Sequence, residues 1–297
     1  MKINFLVNQV FNGWEPTDTR LGGTEESVVR WAEELAKRGH EVQVFRNPSQ
    51  WLAPTEYNLV AYAPRHMYKG GGDICINIKS SDIEPKEQTL YLTNETDADK
   101  LDLSAYLGVI WPSNWAVNNI PVNNRTFVLP HGYDETKIYP EFKIKKQCLY
   151  ASSPDRGLDV LLKAWPEIHK YQPKATLLVT YGATIEKPLP NVYFLGNVDE
   201  DYMNELYRTS EYWLHPCTGG ELFGITGIKA QAAGCWPIIV PTMALDETVK
   251  YGTRTTFKDY ANDAIAAMEY HDPIPSIRFP NWSDSTDKLL EIIDSVL

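Results

Sequence analysis

Short apolar runs alternate with amphipathic helical patterns along the whole chain of 297 residues, and this alternation restricts the fold to the α/β class. The apolar run at residues 3–7 precedes a loop with two glycines and then a helix, and residues 41–45 return as a strand. This order predicts two parallel strands joined by a right-handed crossover. For the helix, Thr24 is the predicted N-cap and Gly39 the residue just beyond the C-cap.

The alternation is interrupted once and then starts again. After Pro140 a charged stretch, residues 141–146, is typical of a linker, and a second series of strands and helices follows it. Two doubly wound, Rossmann-like domains facing each other across a cleft are therefore predicted, the first over residues 1–142 and the second over 143–282. The other predicted strands are 59–62, 74–78, 89–92, 109–111, 126–129, 147–151, 176–181, 192–195, 212–215 and 236–240; predicted helices start near Ser113 or span 158–170, 201–208, 224–233 and 284–296.

Composition excludes several classes of protein. Asp and Glu outnumber Lys and Arg by 39 to 28, and the net charge of −11 argues against nucleic acid as a partner, because phosphate binding needs a basic surface. No apolar run approaches the roughly 18 residues of a membrane span, so no stable membrane insertion is expected. The cysteines are scattered, without a C-x-x-C pair or a histidine at ligand spacing; they are Cys75, Cys148, Cys217 and Cys235. This pattern predicts reduced thiols in a cytoplasmic protein and no structural zinc site.

The glycine pair Gly22-Gly23 is the first candidate binding element. It follows the first strand and opens a helix, where the absence of side chains and the free N–H groups favour an approaching anion. A tight strand-to-helix turn without any ligand would also account for the pair. The dinucleotide fingerprint G-x-G-x-x-G is absent, so a dinucleotide-dependent oxidoreductase is set aside.

Two charged residues of the second series are the next candidates. Arg156 lies at the start of a helix, where a cation opposes the helix dipole unless an anion lies between them. Glu221 precedes Phe223-Gly224 and a helix of small residues, so backbone N–H groups at 224–226 would point at whatever Glu221 holds. A carboxylate beside an anion site suits a ligand with hydroxyls and phosphate, that is, a nucleotide sugar. A glutamate that only stabilises the helix dipole is the alternative.

Together these segments resemble the retaining glycosyltransferases of the GT-B fold, in particular glycosyltransferase family 4. The motifs that carry the resemblance stand in the order of the family: the Gly-Gly loop, Leu129-Pro-His-Gly-Tyr-Asp, Ser153-Pro-Asp-Arg-Gly-Leu-Asp and Glu221-Leu-Phe-Gly. The last helix, here 283–297, resembles the one that crosses back to complete the N-terminal domain of the family.

The resemblance implies a transferase that moves a sugar from a UDP-, GDP- or ADP-sugar to a glycan or another hydroxyl acceptor, with retention of configuration and without a metal cofactor. It implies that Glu221 holds hydroxyls of the donor sugar and that Arg156 contacts the diphosphate. The other donor-site positions that it implies are Gly22, Gly23, Ser153, Phe223, Gly224, Ile225, Thr226 and Lys229, with Gly196, Asn197 and Val198 at the nucleotide base.

Three positions depart from the family pattern. Lys229 stands where the family has the second glutamate of its E-x7-E motif, and a lysine cannot accept a hydrogen bond from the ribose hydroxyls. Ala151 replaces a basic residue that commonly helps to hold the diphosphate. A histidine that many members carry is absent, so Asn94 or Glu95 is expected to make the contacts on the acceptor side. These departures leave open a second hypothesis, a non-catalytic protein that binds nucleotide sugars or glycans on the same fold.

Two further patterns are not assigned a catalytic role. Asp97 and Asp99 form the D-x-D pattern with which glycosyltransferases of another fold hold a divalent ion. So short a pattern arises by chance in an acidic chain, and no metal role is predicted for it. His131, in a Pro-His-Gly turn, is expected to be a hydrogen-bonded turn residue rather than a proton shuttle.

Overall fold

The computed structural model describes residues 1–8, 13–80, 84, 86–182 and 188–297. These residues form two compact units, one of Met1–Gly132 with Pro280–Leu297 and one of Tyr133–Phe279. The units divide before the position 142 that the charged stretch suggested, because residues beyond Gly132 already pack in the second unit. Ile138 is only 2% exposed there, and Tyr133 packs against the same core. No helix in the described part of the chain is both long and apolar enough to cross a bilayer.

The first unit is built on an eight-stranded sheet. Its strands are β1 (Lys2–Val7), β2 (Glu41–Arg46), β3 (Thr55–Tyr57), β4 (Val60–Pro64), β5 (Ile74–Ile78), β6 (Thr89–Leu92), β7 (Gly108–Trp111) and β8 (Thr126–Val128). They lie in the order β3-β4-β2-β1-β5-β6-β7-β8, and every pair is parallel except β3 with β4. Its α-helices are α1 (Gly23–Lys37), α2 (Asn114–Asn119) and the last helix of the chain, α8 (Trp282–Asp294).

The last helix belongs to the first unit through its contacts with α1. Trp31 donates its indole N–H to the Ser285 hydroxyl at 2.8 Å, and that hydroxyl donates to the Pro130 carbonyl at 2.6 Å. Arg38 pairs with Asp287 at 2.9 Å. The helix begins with a complete capping box at Asn281, which satisfies its first N–H groups.

The second unit contains a six-stranded, fully parallel sheet. Its strands are β9 (Ile144–Tyr150), β10 (Thr176–Thr180), β11 (Val192–Gly196), β12 (Ser210–His215), β13 (Trp236–Ile239) and β14 (Thr253–Arg254), in the order β11-β10-β9-β12-β13-β14. Its α-helices are α3 (Leu158–Tyr171), α4 (Glu200–Thr209), α5 (Ile225–Ala232), α6 (Leu245–Thr248) and α7 (Tyr260–Glu269). Both units therefore have the predicted α/β, Rossmann-like architecture.

The charged stretch that suggested a linker is instead partly strand. Residues 144–146 form the start of β9, because their charges find partners on neighbouring elements. Lys145 pairs with Glu211 at 2.7 Å, and Glu211 also accepts the backbone N–H of Lys146 at 2.5 Å. Lys143 donates to carbonyl groups at the ends of α4 and α5, which lack partners within their own helices.

The predicted start of α1 is wrong by two residues. Gly22, not Thr24, is the N-cap: its backbone is extended (φ −70°, ψ 165°), and its carbonyl accepts the N–H of Glu26 at 2.9 Å. Thr24 lies inside the first turn of the helix. The prediction for the other end is confirmed, since Gly39 follows the C-cap with φ +85°, the left-handed conformation that glycine adopts without strain.

Candidate functional site

The second sheet reverses its strand order between β9 and β12. Successive strands are added on one side of β9 and then on the other. In doubly wound sheets, ligands bind beyond the carboxyl ends of the strands at such a switch point. Arg156 lies in the loop after β9 and Glu221 in the loop after β12. The guanidinium Nη1 of Arg156 lies 3.9 Å from Oε1 of Glu221. The fold thus brings the two predicted charged residues together at the place where parallel sheets bind ligands.

The loop that carries Arg156 is held by its own backbone. Residues Pro154–Arg156 form one turn of 3-10 helix, in which the Arg156 N–H donates to the Ser153 carbonyl at 3.0 Å. The hydroxyl of Tyr150 donates to the same carbonyl at 2.8 Å. The Arg156 side chain is 33% exposed and donates to the Gly220 carbonyl. The guanidinium therefore spans both loops and still reaches solvent.

Gly157 allows the two loops to approach each other. It has φ +98°, and a Cβ at this position would collide with the carbonyl oxygen of Pro216, which follows β12. Both the dihedral angle and the close approach therefore require glycine.

We expect Gly157→Ala to lower the free energy of unfolding by more than the cost of the dihedral angle alone, which is about 1–2 kcal/mol. The collision with Pro216 adds to that strain, because a backbone carbonyl cannot rotate away as a side chain can. Urea unfolding measures the change. Gly39→Ala is the matched control, since Gly39 has φ +85° and no atom within 4 Å of the added Cβ. An equal loss of unfolding free energy in both variants would show that the close contact between Gly157 and the Pro216 carbonyl adds nothing to the cost of the dihedral angle.

Glu221 lies between a cation and a histidine. Its Oε1 is 3.9 Å from His215 Nε2, the same distance as from the Arg156 guanidinium, and its side chain is 20% exposed. Burial raises the pKa of Glu221, and the positive charge of Arg156 opposes this rise. Burial, with a smaller contribution from Arg156, lowers the pKa of His215 to about 3. At neutral pH the site therefore contains a neutral imidazole beside the carboxyl group.

His215 is a site residue that the sequence motifs do not reveal. Its ring is fully buried and stacks on Trp213 with 4.8 Å between ring centroids. Neither ring nitrogen has a hydrogen-bond partner among the residues that the structure describes. The available signal was its position at the carboxyl end of a predicted strand, since that edge of a parallel sheet faces the ligand crevice.

His215 also lies beside a thiol. One ligand atom from each of His215, Cys217 and Glu221 lies within 4.8 Å of the others, the one such cluster found in the described parts of the chain. The expectation that no histidine stands at ligand spacing to a cysteine is therefore wrong, because a single proline separates His215 from Cys217. Asp97 and Asp99 do not belong to the cluster; both are exposed on the 3-10 helix Thr96–Lys100.

The segment after Glu221 leads directly into α5. Gly224 is the N-cap with φ +77°, and Ile225 and Thr226 form the first turn, so the free N–H groups of the helix begin next to the carboxylate. Phe223 is buried, and its carbonyl accepts the Thr248 hydroxyl at 2.7 Å. Lys229 is half-buried further along α5. The backbone of this segment is thus fixed in place for the donor contact expected of it, and that contact remains a prediction.

The segment predicted to bind the nucleotide base lies at the same edge of the sheet. Gly196 ends β11 with φ +69° and bridges to Tyr181, and β11 is separated from β9 by β10. Asn197 and Val198 follow it, and Val198 packs against the core. The parallel order therefore places this segment at the carboxyl edge of the sheet, with one strand, β10, between β11 and the strand β9 that leads to the Arg156 loop.

The predicted acceptor residue lies in the first unit. Asn94 follows β6 and lines a small cavity with His131, Trp31 and Trp111. His131 is hydrogen-bonded to the Ser27 hydroxyl at 2.8 Å and stacks on Trp31, which confirms it as a bonded turn residue. Gly22 and Gly23 form the start of α1 in this unit.

Glu95 has a separate partner. Its carboxylate pairs with Lys79 at 2.8 Å, whereas Asn94 borders the cavity. Of the two residues expected on the acceptor side, Asn94 is the one that the fold places beside His131.

Comparison with known proteins finds a family match within the second unit. Residues 145–269 match the family described as Glycosyl transferases group 1. A phosphatidyl-myo-inositol mannosyltransferase of Propionibacterium freudenreichii is 30% identical over 90 residues, which cover 30% of this chain and 23% of that protein. The chain thus matches only about a quarter of the length of this curated relative.

Solved structures match nearly the whole chain. Sucrose-phosphate synthase from Thermosynechococcus elongatus has a TM-score of 0.71 at 14% identity, with 99% of this chain and 98% of that chain covered. HepE from Anabaena, solved with UDP and glucose, has a TM-score of 0.65 at 14% identity, with 99% and 100% covered. At these identities the likeness shows the fold. The chain therefore has the GT-B fold, and its residues 145–269 are similar to the group 1 glycosyl transferases.

Proposed function

We propose that this chain transfers a sugar from a nucleotide-sugar donor to a hydroxyl of a glycan acceptor, with retention of configuration and without a metal cofactor. The observation that carries the proposal is the convergence of Arg156 and Glu221, 3.9 Å apart, at the switch point of the second sheet. A cation for a diphosphate and a carboxylate for sugar hydroxyls lie there side by side, next to the start of α5.

Transfer breaks the bond between the anomeric carbon and the phosphate oxygen, and both electrons leave with the diphosphate. Arg156 and the N–H groups at the start of α5 stabilise this developing negative charge. Glu221 accepts hydrogen bonds from the sugar hydroxyls and favours the positive charge that develops on the sugar. The acceptor oxygen bonds to the anomeric carbon on the face that the diphosphate leaves, and its proton passes to the leaving phosphate oxygen. This route needs no separate protein base.

The nucleotide and the acceptor are the open parts of the proposal. HepE was solved with UDP and glucose, and the Propionibacterium relative is named as a mannosyltransferase, so UDP- and GDP-sugars, with ADP-sugars, are the donors to test. Lys229 on α5 favours a donor whose binding does not depend on a carboxylate at the ribose. A glycan acceptor near Asn94 and a cytoplasmic location remain predictions.

A thermal-shift screen with UDP-, GDP- and ADP-sugars, followed by a turnover assay, tests the proposed function. A donor at 100 times its dissociation constant stabilises the folded chain by about 2.7 kcal/mol. We expect one nucleotide class to raise the melting temperature and to be consumed when a glycan acceptor is added. Binding without turnover over a broad acceptor panel would contradict the proposal and favour the non-catalytic alternative.

Activity is expected to survive EDTA unchanged or increased, because Arg156 and the start of α5 supply the positive charge that a divalent ion supplies elsewhere. The rate of donor consumption with and without EDTA is the measurement. Complete loss of activity in EDTA and its restoration by Mn²⁺ would contradict this expectation and favour a metal-binding role for Asp97 and Asp99.

A further inference from the structure

Three side chains with different metal-binding groups converge beyond the carboxyl end of β12. The imidazole of His215, the thiol of Cys217 and the carboxylate of Glu221 place their ligand atoms within 4.8 Å of one another. His215 and Cys217 are fully buried, whereas Glu221 is 20% exposed and connects the cluster to solvent. An ion would therefore enter from the side of Glu221.

The imidazole of His215 is unexplained by the rest of the fold. Both of its nitrogens are buried without a partner in the described ranges of the chain, and Nε2 faces the Glu221 carboxylate at 3.9 Å. A buried polar group without a partner destabilises the folded chain, so such a group is retained more easily where a ligand satisfies it. Metal ions bind to imidazole nitrogen directly, and this cluster provides two further ligands of suitable chemistry.

The ligand set selects the class of metal. Nitrogen, sulfur and oxygen donors together suit Zn²⁺, whereas Mg²⁺ and Ca²⁺ prefer oxygen alone. Zinc bonds of about 2.0–2.3 Å put tetrahedral ligands about 3.5 Å apart, so the side chains must move closer by about 1 Å. One Zn²⁺ with one thiolate and one carboxylate has no net charge. The guanidinium of Arg156, which lies beside Glu221, therefore does not repel the complex as it would a free cation.

We propose that His215, Cys217 and Glu221 form a Zn²⁺ site that overlaps the sugar end of the donor site, so that bound zinc inhibits transfer. Three bonds to the ion form, the thiol proton of Cys217 passes to solvent, and the fourth position holds water. Zinc binding does not depend on the proposed function; only its inhibitory effect rests on that function. The site differs from a catalytic metal site, because the ion binds the Glu221 carboxylate and so prevents it from contacting the sugar hydroxyls during transfer.

Metal titration of the full chain, purified through EDTA and then freed of chelator, tests the site. We expect one equivalent of Zn²⁺ to bind in competition with a chromophoric chelator, and Co²⁺ to give a thiolate charge-transfer band. Cys217→Ser should abolish the band and weaken zinc binding by about tenfold or more. Cys75→Ser, at a buried cysteine in the first unit, is the matched control and should leave the band and the affinity unchanged.

A second variant keeps the test decisive if Cys217→Ser does not fold. Glu221→Gln replaces a partly exposed side chain by one of the same shape and should weaken zinc binding by about tenfold or more. Wild-type affinity in Glu221→Gln, or a persistent charge-transfer band in Cys217→Ser, would overturn the site.

The inhibitory effect has its own readout, the ratio of turnover without zinc to turnover with one equivalent of zinc. We expect this ratio to be well above one in the wild type and to return to one with EDTA. Tight zinc binding without inhibition would overturn the overlap with the donor site. Absence of any turnover would count against the proposed function and leave the metal titration intact.

Discussion

Arg156→Ala is expected to lower kcat for sugar transfer by about 10²–10³-fold, the range found when one group that stabilises developing negative charge is removed. The guanidinium is 33% exposed and belongs to a surface loop, so its loss should leave the fold intact. Steady-state rates with the donor found in the screen, together with melting temperatures, measure the two effects separately.

Arg254→Ala is the matched control for this variant. Arg254 lies on the edge strand β14, is 37% exposed, pairs with Asp246 at 2.8 Å and donates to the Val249 carbonyl at 2.6 Å. It therefore resembles Arg156 in exposure and in its contacts but lies outside the switch point, and we expect wild-type kcat. Arg156→Lys keeps the charge and loses the planar fork, so its rate should be intermediate. Equal rates in Arg156→Ala and the wild type would contradict the role assigned to this residue.

Glu221→Ala is expected to reduce kcat/KM by about 10- to 150-fold, because a hydrogen bond to a charged group contributes about 1.5–3 kcal/mol. Glu221→Gln separates the two roles of the carboxylate. The amide still binds hydroxyls but carries no charge, so we expect near-normal donor affinity with a reduced kcat. Assays in EDTA remove any contribution from zinc at this residue.

Glu200→Gln provides the control for charge removal. Glu200 starts α4 and pairs with Lys137 at 3.4 Å, and its side chain is 31% exposed, close to the 20% of Glu221. Its rate should match that of the wild type. If Glu221→Gln and Glu200→Gln behave alike, the carboxylate of Glu221 does not take part in transfer.

The α/β class and most of the helices and strands follow from local periodicity in the sequence. The reason is that a buried strand or an amphipathic helix shows its own pattern of apolar residues within a short segment. Local patterns fail where a distant partner decides the structure. Lys145 and Lys146 belong to the charged stretch that suggests a linker, yet Glu211, on another strand, holds both residues in β9. The short strands β3 and β14 were likewise not predicted, because they contain too few residues to show a period.

The candidate site shows the same limit. The helix-start positions of Arg156 and Glu221 indicate each residue individually, and the order of the family motifs indicates that they act together. The contacts that bring them together are not local: Gly157 meets the carbonyl of Pro216, and Arg156 donates to that of Gly220. The sequence does not distinguish His215 from a packed core residue, because a histidine at the end of an apolar strand fits either role. Only the fold places it against Glu221.

A crystal structure of the full chain with the nucleotide sugar from the screen tests the central claim most directly. The account predicts diphosphate oxygens within about 2.7–2.9 Å of the Arg156 guanidinium and sugar hydroxyls on the Glu221 carboxylate. It would be contradicted by a donor bound away from the β9–β12 switch point, with Arg156 still directed only at the Gly220 carbonyl and Glu221 without a sugar contact.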